Sequence, residues 1–107
     1  MHSFEIESNT FYGCKALTNC EIPSTVKKIG DYAFKDCIAL KEIKHHSIDS
    51  IGNNVFQGCS SLSSLELPPT IKKIGYYAFD KCPFTKIRIP SSASVGDDSI
   101  IYERYDP

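Results

Sequence analysis

One nine-residue pattern recurs four times along this chain, and it restricts the fold more than anything else in the sequence. Residues 6–14, 29–37, 51–59 and 74–82 align column by column as I-G-x-x-A-F-x-x-C, with Glu7 in place of the glycine in the first copy. Phenylalanine falls at 11, 34, 56 and 79 and cysteine at 14, 37, 59 and 82, both columns stepping by 23, 22 and 23 residues. Two longer stretches nearly coincide, S-T-V-K-K-I-G at 24–30 and P-T-I-K-K-I-G at 69–75. A unit of this length cannot bury its own apolar face. Stacking like units puts like residue on like residue and makes one continuous core.

The stretch after each cysteine completes the unit. Leu17, Leu40, Leu62 and Phe84 come first, followed by the pairs Cys20/Ile22, Ile43/His45, Leu65/Leu67 and Ile87/Ile89. Each pair alternates with polar residues, which is strand periodicity. Pro23, Pro68 and Pro90 close three of these strands, a position where the missing N–H costs little. The second unit has His46 there and is one residue shorter. Val26-x-x-Ile29, Ile48-x-x-Ile51 and Ile71-x-x-Ile74 predict a second, shorter strand or extended segment. Gly30, Gly52 and Gly75 are read as a corner that uses positive φ. The A-F-x-x-C stretch is expected to turn through a helical or 3₁₀ turn. Adjacent strands would pair in parallel about 4.8 Å apart.

At 107 residues there is room for one such stack and no second core. Net charge is −1, so no global attraction to nucleic acid or anionic membrane follows. No run approaches the ~20 apolar residues of a spanning helix, and no signal peptide is visible at the start.

The full pattern L-x-x-I-x-I/L-P-x-x-V/I-x-x-I-G-x-x-A-F-x-x-C, across roughly residues 3–92, resembles the BspA-like or Treponema-type leucine-rich repeat. The resemblance implies a right-handed leucine-rich-repeat solenoid. It would be mainly β, with parallel strands, short 3₁₀ or helical turns, and about four coils of 22–23 residues. It also implies a place among surface proteins of host-associated bacteria and of anaerobic protists, several of them adhesive toward host matrix or other cells. A cell-surface or secreted location is expected on that ground, with a cytoplasmic one left open. Residues 1–92 are assigned to the solenoid, which begins in mid-repeat. Residues 93–107 lose the pattern and are read as a tail, either a partial cap on the last coil or a linker.

Candidate sites must stand apart from the repeat. Cys14, Cys37, Cys59 and Cys82 do not: they form a column beside the phenylalanines, and Cys20 takes an apolar strand position. A reduced, buried ladder is the plain reading. There is no C-x-x-C pair for zinc, and a cysteine repeated as part of the unit is a poor candidate for an activated thiolate, which needs a basic partner or a helix N-terminus to depress its pKa. No cofactor, metal or catalytic residue is assigned, and an enzyme is not expected. His45 takes an inward place held by Ile22 and Leu67 elsewhere, and His46 faces out or sits in the turn. His2 lies near the terminus.

The outward strand positions carry the binding prediction. One column reads Glu21, Lys44, Glu66 and Arg88, and its neighbour Asn19, Glu42, Ser64 and Lys86. Alternating charges at cross-strand spacing can compensate one another, or can meet a protein partner by charge complementarity. Tyr76 and Tyr77 are a second candidate contact, tyrosine being typical of interfaces. The function expected is a non-catalytic protein-binding module of a surface or secreted adhesion protein. The alternative is an intracellular protein–protein interaction scaffold. Neither nucleic-acid binding nor membrane insertion is expected.

Overall fold

The computed structural model describes residues 4–107, so His2 lies outside the described residues. The strands, in chain order, are β1 (Glu5–Ile6), β2 (Asn19–Glu21), β3 (Lys28–Ile29), β4 (Glu42–Lys44), β5 (Ser50–Ile51), β6 (Lys73–Ile74), β7 (Lys86–Pro90), β8 (Ser94–Val95) and β9 (Ile101–Tyr105). Every pairing is parallel. The short K-I strands build the continuous sheet, in the order β1-β3-β5-β6-β8. Its register runs Ile6, Ile29, Ile51, Ile74, Val95, one apolar residue per coil. The last of these comes from segment 93–107, which therefore adds a rung to the stack.

The core is a set of columns. Phe11, Phe34, Phe56 and Phe79 stack in sequence with ring centroids 5.2, 5.4 and 5.8 Å apart. Ile29, Ile51 and Ile74, Cys37 and Cys59, and Leu40 and Leu62 are buried beside them. Such stacked rings add about 0.5–1.5 kcal/mol per pair beyond the area they bury. The end of the phenylalanine column is covered by Phe84 and by the edge of Tyr102, at 5.7 and 6.4 Å from Phe79. Asp98 also accepts from the Phe79 amide at 3.0 Å.

The A-F-x-x-C stretch contains no helix; it is a run of hydrogen-bonded turns. In the second coil, Ala33, Lys35 and Cys37 donate to the carbonyls of Gly30, Tyr32 and Phe34. Helical handedness is lost because Tyr32 and Asp36 have φ of 61° and 59°. The same two columns recur at Asn54 and Gly58 and at Tyr77 and Lys81. The amides freed from helix bonding turn to the next coil: Tyr32, Phe34 and Asp36 donate to Asn53, Val55 and Gln57. The thiols reach the other way, to the preceding coil, with Cys37, Cys59 and Cys82 donating to the carbonyls of Phe11, Phe34 and Phe56 at 3.0, 3.1 and 3.2 Å.

The glycine corner works differently from the sequence expectation. Gly30, Gly52 and Gly75 do not have positive φ. A Cβ on Gly75 would lie 2.6 Å from both the Asn53 nitrogen and the Gly52 carbonyl carbon. These glycines exist because the backbones of neighbouring coils touch there, while positive φ falls two residues later.

Candidate functional site

The longer strands form a second face, and it is broken. β2 pairs with β4 and β7 with β9, but the stretch between them, residues 63–67, forms no strand. The alternation at Leu65 and Leu67 therefore does not produce the third strand it predicts. Among the described residues, the backbone of 63–67 makes no hydrogen bond to other backbone.

On the β4 side the break coincides with His45. In the intact pair, the Ile22 amide donates to the Lys44 carbonyl at 2.7 Å. One coil on, the equivalent bond would run from the His45 amide to the Glu66 carbonyl. Instead the His45 side chain donates through Nε2 to that carbonyl. An imidazole in an inward position needs a partner, since an unpaired buried donor costs about 1–3 kcal/mol. It takes the acceptor nearest to it and occupies the place of the main chain. The other nitrogen, Nδ1, is buried without a partner. His46 is exposed beside it.

Glu21, Lys44, Glu66 and Arg88 all lie exposed on this face. Glu21 and Lys44 are register neighbours, yet Lys44 pairs with Glu42 of its own strand, at 3.8 Å. Glu66 borders a groove of about 620 Å³ shared with Glu21, Glu42, Lys44, His45 and His46. On its other side a groove of about 380 Å³ is walled by Leu65, Leu67, Lys86, Arg88, Glu103 and Tyr105. Among the described residues, neither Glu66 nor Arg88 makes an ion pair. The Arg88 guanidinium lies over the Tyr105 ring, 4.6 Å from its centre.

Glu103 and Tyr105 are members of this face that the sequence reading missed. They come from β9, where Glu103 stands beside Arg88 and also pairs with Lys86 at 3.8 Å. The alternation of Ile101 to Tyr105 was a usable signal, and so was Val95-Gly96, which echoes the Ile-Gly step of each coil. Tyr76 and Tyr77 are not brought to either groove. They stand in the turn after β6, 57% and 45% exposed. Tyr77 has φ of 54°, and the Tyr76 amide donates to Asn53 Oδ1 at 2.8 Å.

All five cysteines are free thiols, Cys37 and Cys59 buried and the other three half-buried. Burial pushes Cys20, Cys37 and Cys59 up from the usual thiol value and carries Cys82 to about 12. Thiols so placed stay protonated and are poor nucleophiles. Among the described residues no three His, Cys, Asp or Glu side chains gather to hold a metal ion, and no helix is long and apolar enough to cross a membrane.

Parallel strands stacked coil on coil around an apolar spine define a leucine-rich-repeat solenoid. The chain belongs to the BspA-type leucine-rich repeat family, whose pattern it matches in six copies over residues 2–104. A leucine-rich repeat protein from Bacteroides ovatus is similar, with 39% identity and a TM-score of 0.81 over 92% of this chain. The leucine-rich repeat protein of T. pallidum is similar as well, with 29% identity and a TM-score of 0.82 over 89% of this chain. The matched region spans 28% and 45% of those two proteins. No curated protein matches the chain.

Proposed function

We propose that this chain is a non-catalytic protein-binding module, and that it binds through the broken strand face. Leucine-rich repeats generally serve as interaction modules, and adhesion to host or cell-surface proteins is the role favoured here, in a surface or secreted protein. The observation that carries the reading is the exposure of Glu66 and Arg88, without ion pairs, across a groove on a face whose neighbouring charges compensate one another. A partner offering the opposite charges gains specificity there.

The test is a fourfold charge reversal, E21K, K44E, E66K and R88E. These residues are exposed, so the fold is expected to survive, with an unchanged circular dichroism spectrum. Immobilised wild-type chain should retain matrix or cell-surface proteins that the reversed chain does not. Equal retention by both would move the binding site off this face.

A further inference from the structure

Four strands lie at the ends of the stack, β1 and β2 at one and β8 and β9 at the other. An end strand offers unpaired main-chain groups, and proteins blunt such edges with shortness, lysine or proline. β1 and β8 have two residues and β2 has three. β9 reads I-Y-E-R-Y, five residues without lysine or proline, and it bonds to β7 alone. The Ile101 amide donates to the Thr85 carbonyl, and the Tyr105 carbonyl accepts from the Ser91 amide. Residues 101, 103 and 105 therefore direct their backbone groups toward β7. In a parallel ladder the residues between them direct theirs to the other side. Among the described residues, the backbones of Tyr102 and Arg104 make no hydrogen bond to other backbone. The Arg104 side chain does not guard this edge, since its Nη1 is turned back to the Ser91 and Ala93 carbonyls at 3.1 and 2.7 Å. Ile101 is 66% exposed and shares the outer side of the strand with Glu103 and Tyr105.

We infer that β9 pairs edge to edge with β9 of a second copy of this chain, antiparallel about a two-fold axis through Glu103. The strand fits itself in that register, which is what names the occupant. Tyr102 falls opposite Arg104 of the other copy, and Arg104 opposite Tyr102, so their free amides and carbonyls close four hydrogen bonds. Ile101 falls opposite Tyr105 on the outer side at both ends, an apolar cross-strand pair. Glu103 meets its own counterpart on the axis. Each of these carboxylates is compensated within its own chain, by Lys86 at 3.8 Å and by Arg88 beside it in register. Sliding the register by two residues sets Ile101 against Glu103, or Arg104 against Arg104, so the fit belongs to one alignment. This contact uses the edge of the last strand and not the strand face, and it stands apart from the partner binding proposed above.

Sedimentation equilibrium and amide hydrogen exchange on the full chain test it together. The average mass should rise from that of one chain toward twice that value as concentration approaches about 1 mM, the affinity expected of a small edge contact. Over the same range the Tyr102 and Arg104 amides should exchange at least about tenfold more slowly, while those of Ile101, Glu103 and Tyr105, already bonded to β7, change little. Ile101→Lys places a charge against Tyr105 of the other copy and should weaken association about tenfold or more. Its exposed position leaves the fold intact, checked by an unchanged melting curve in dilute solution. A single-chain mass at about 1 mM, a dimer in which the Tyr102 and Arg104 amides stay unprotected, or equal association by Ile101→Lys overturns the inference. Protection of those two amides only on adding a valine–threonine heptapeptide would assign the edge to another protein's strand and would equally overturn it.

Discussion

Gly75 sits against Asn53 with no room for a methyl group between them: a Cβ there would lie 2.6 Å from the Asn53 nitrogen and 2.3 Å from its Oδ1. The same asparagine oxygen accepts from the Tyr76 amide at 2.8 Å, and Asp31 does likewise for Asn53 at 2.8 Å. The contact between coils is backbone on backbone, held by a column of Asx side chains. Gly75→Ala is therefore expected to destabilise by about 1–3 kcal/mol through overpacking, read as a fall in the urea midpoint at unchanged slope. Gly13→Ala meets nothing within 4 Å and suffers only from its φ of 69°, so its cost should be about 1 kcal/mol.

Lys81 holds φ of 63° in a column where Gly13 and Gly58 have 69° and 78°. An exposed lysine gains nothing from that conformation. Lys81→Gly should stabilise by about 0.5–1 kcal/mol, the relief of left-handed strain less the added freedom of the unfolded chain. A rise in melting temperature checks it.

The thiol column gives a pH-dependent prediction. Desolvation raises the Cys59 thiol, so the folded state holds its proton where the unfolded chain has lost it. The stability this confers is fully present below the ordinary thiol value near pH 8.5 and fades as pH rises above it. Cys59→Ala, which also loses the bond to the Phe34 carbonyl, should cost about 1–2 kcal/mol at neutral pH. The gap between it and the parent should narrow by about pH 10. Alkylation at about pH 8 should leave Cys37 and Cys59 untouched until the chain is denatured.

The tail tests differently. Tyr102 covers Phe79 and donates to Asp98 at 3.3 Å, so Tyr102→Ala should destabilise by about 3 kcal/mol. Nearby, hydrogen bonds from Gln57 and then Ser99 hold the Asp80 carboxyl below its usual value. Its contribution is present above about pH 4 and is lost as pH falls through the depressed value. Asp80→Asn should flatten the stability profile in that acid range, as measured by thermal melts.

The columns of Phe, Cys, Leu and Ile were legible because a repeated burial demands a repeated residue. The glycine column was legible in place but not in cause, since close approach between coils is a property of two coils and a sequence shows one at a time. His45 was visible as an irregularity. Its consequence was not, because the acceptor it takes belongs to Glu66, in the next coil. Segment 93–107 was harder, as its Val95-Gly96 step and the alternation in β9 are its only echoes of the pattern. The outward charges were readable as a column. Whether they compensate one another depended on side-chain choices, such as Lys44 turning to Glu42.

The account turns on a strand face that is open at the third coil while the opposite sheet is continuous. Amide hydrogen exchange on the free chain measures this directly. Amides bonded across the continuous sheet, such as Gly52 and Gly75, and that of Ile22 in the intact pair, should exchange only with global unfolding. The amides of residues 64–67 should exchange orders of magnitude faster. Protection of 64–67 equal to that of Ile22 would mean an unbroken ladder and would contradict the account.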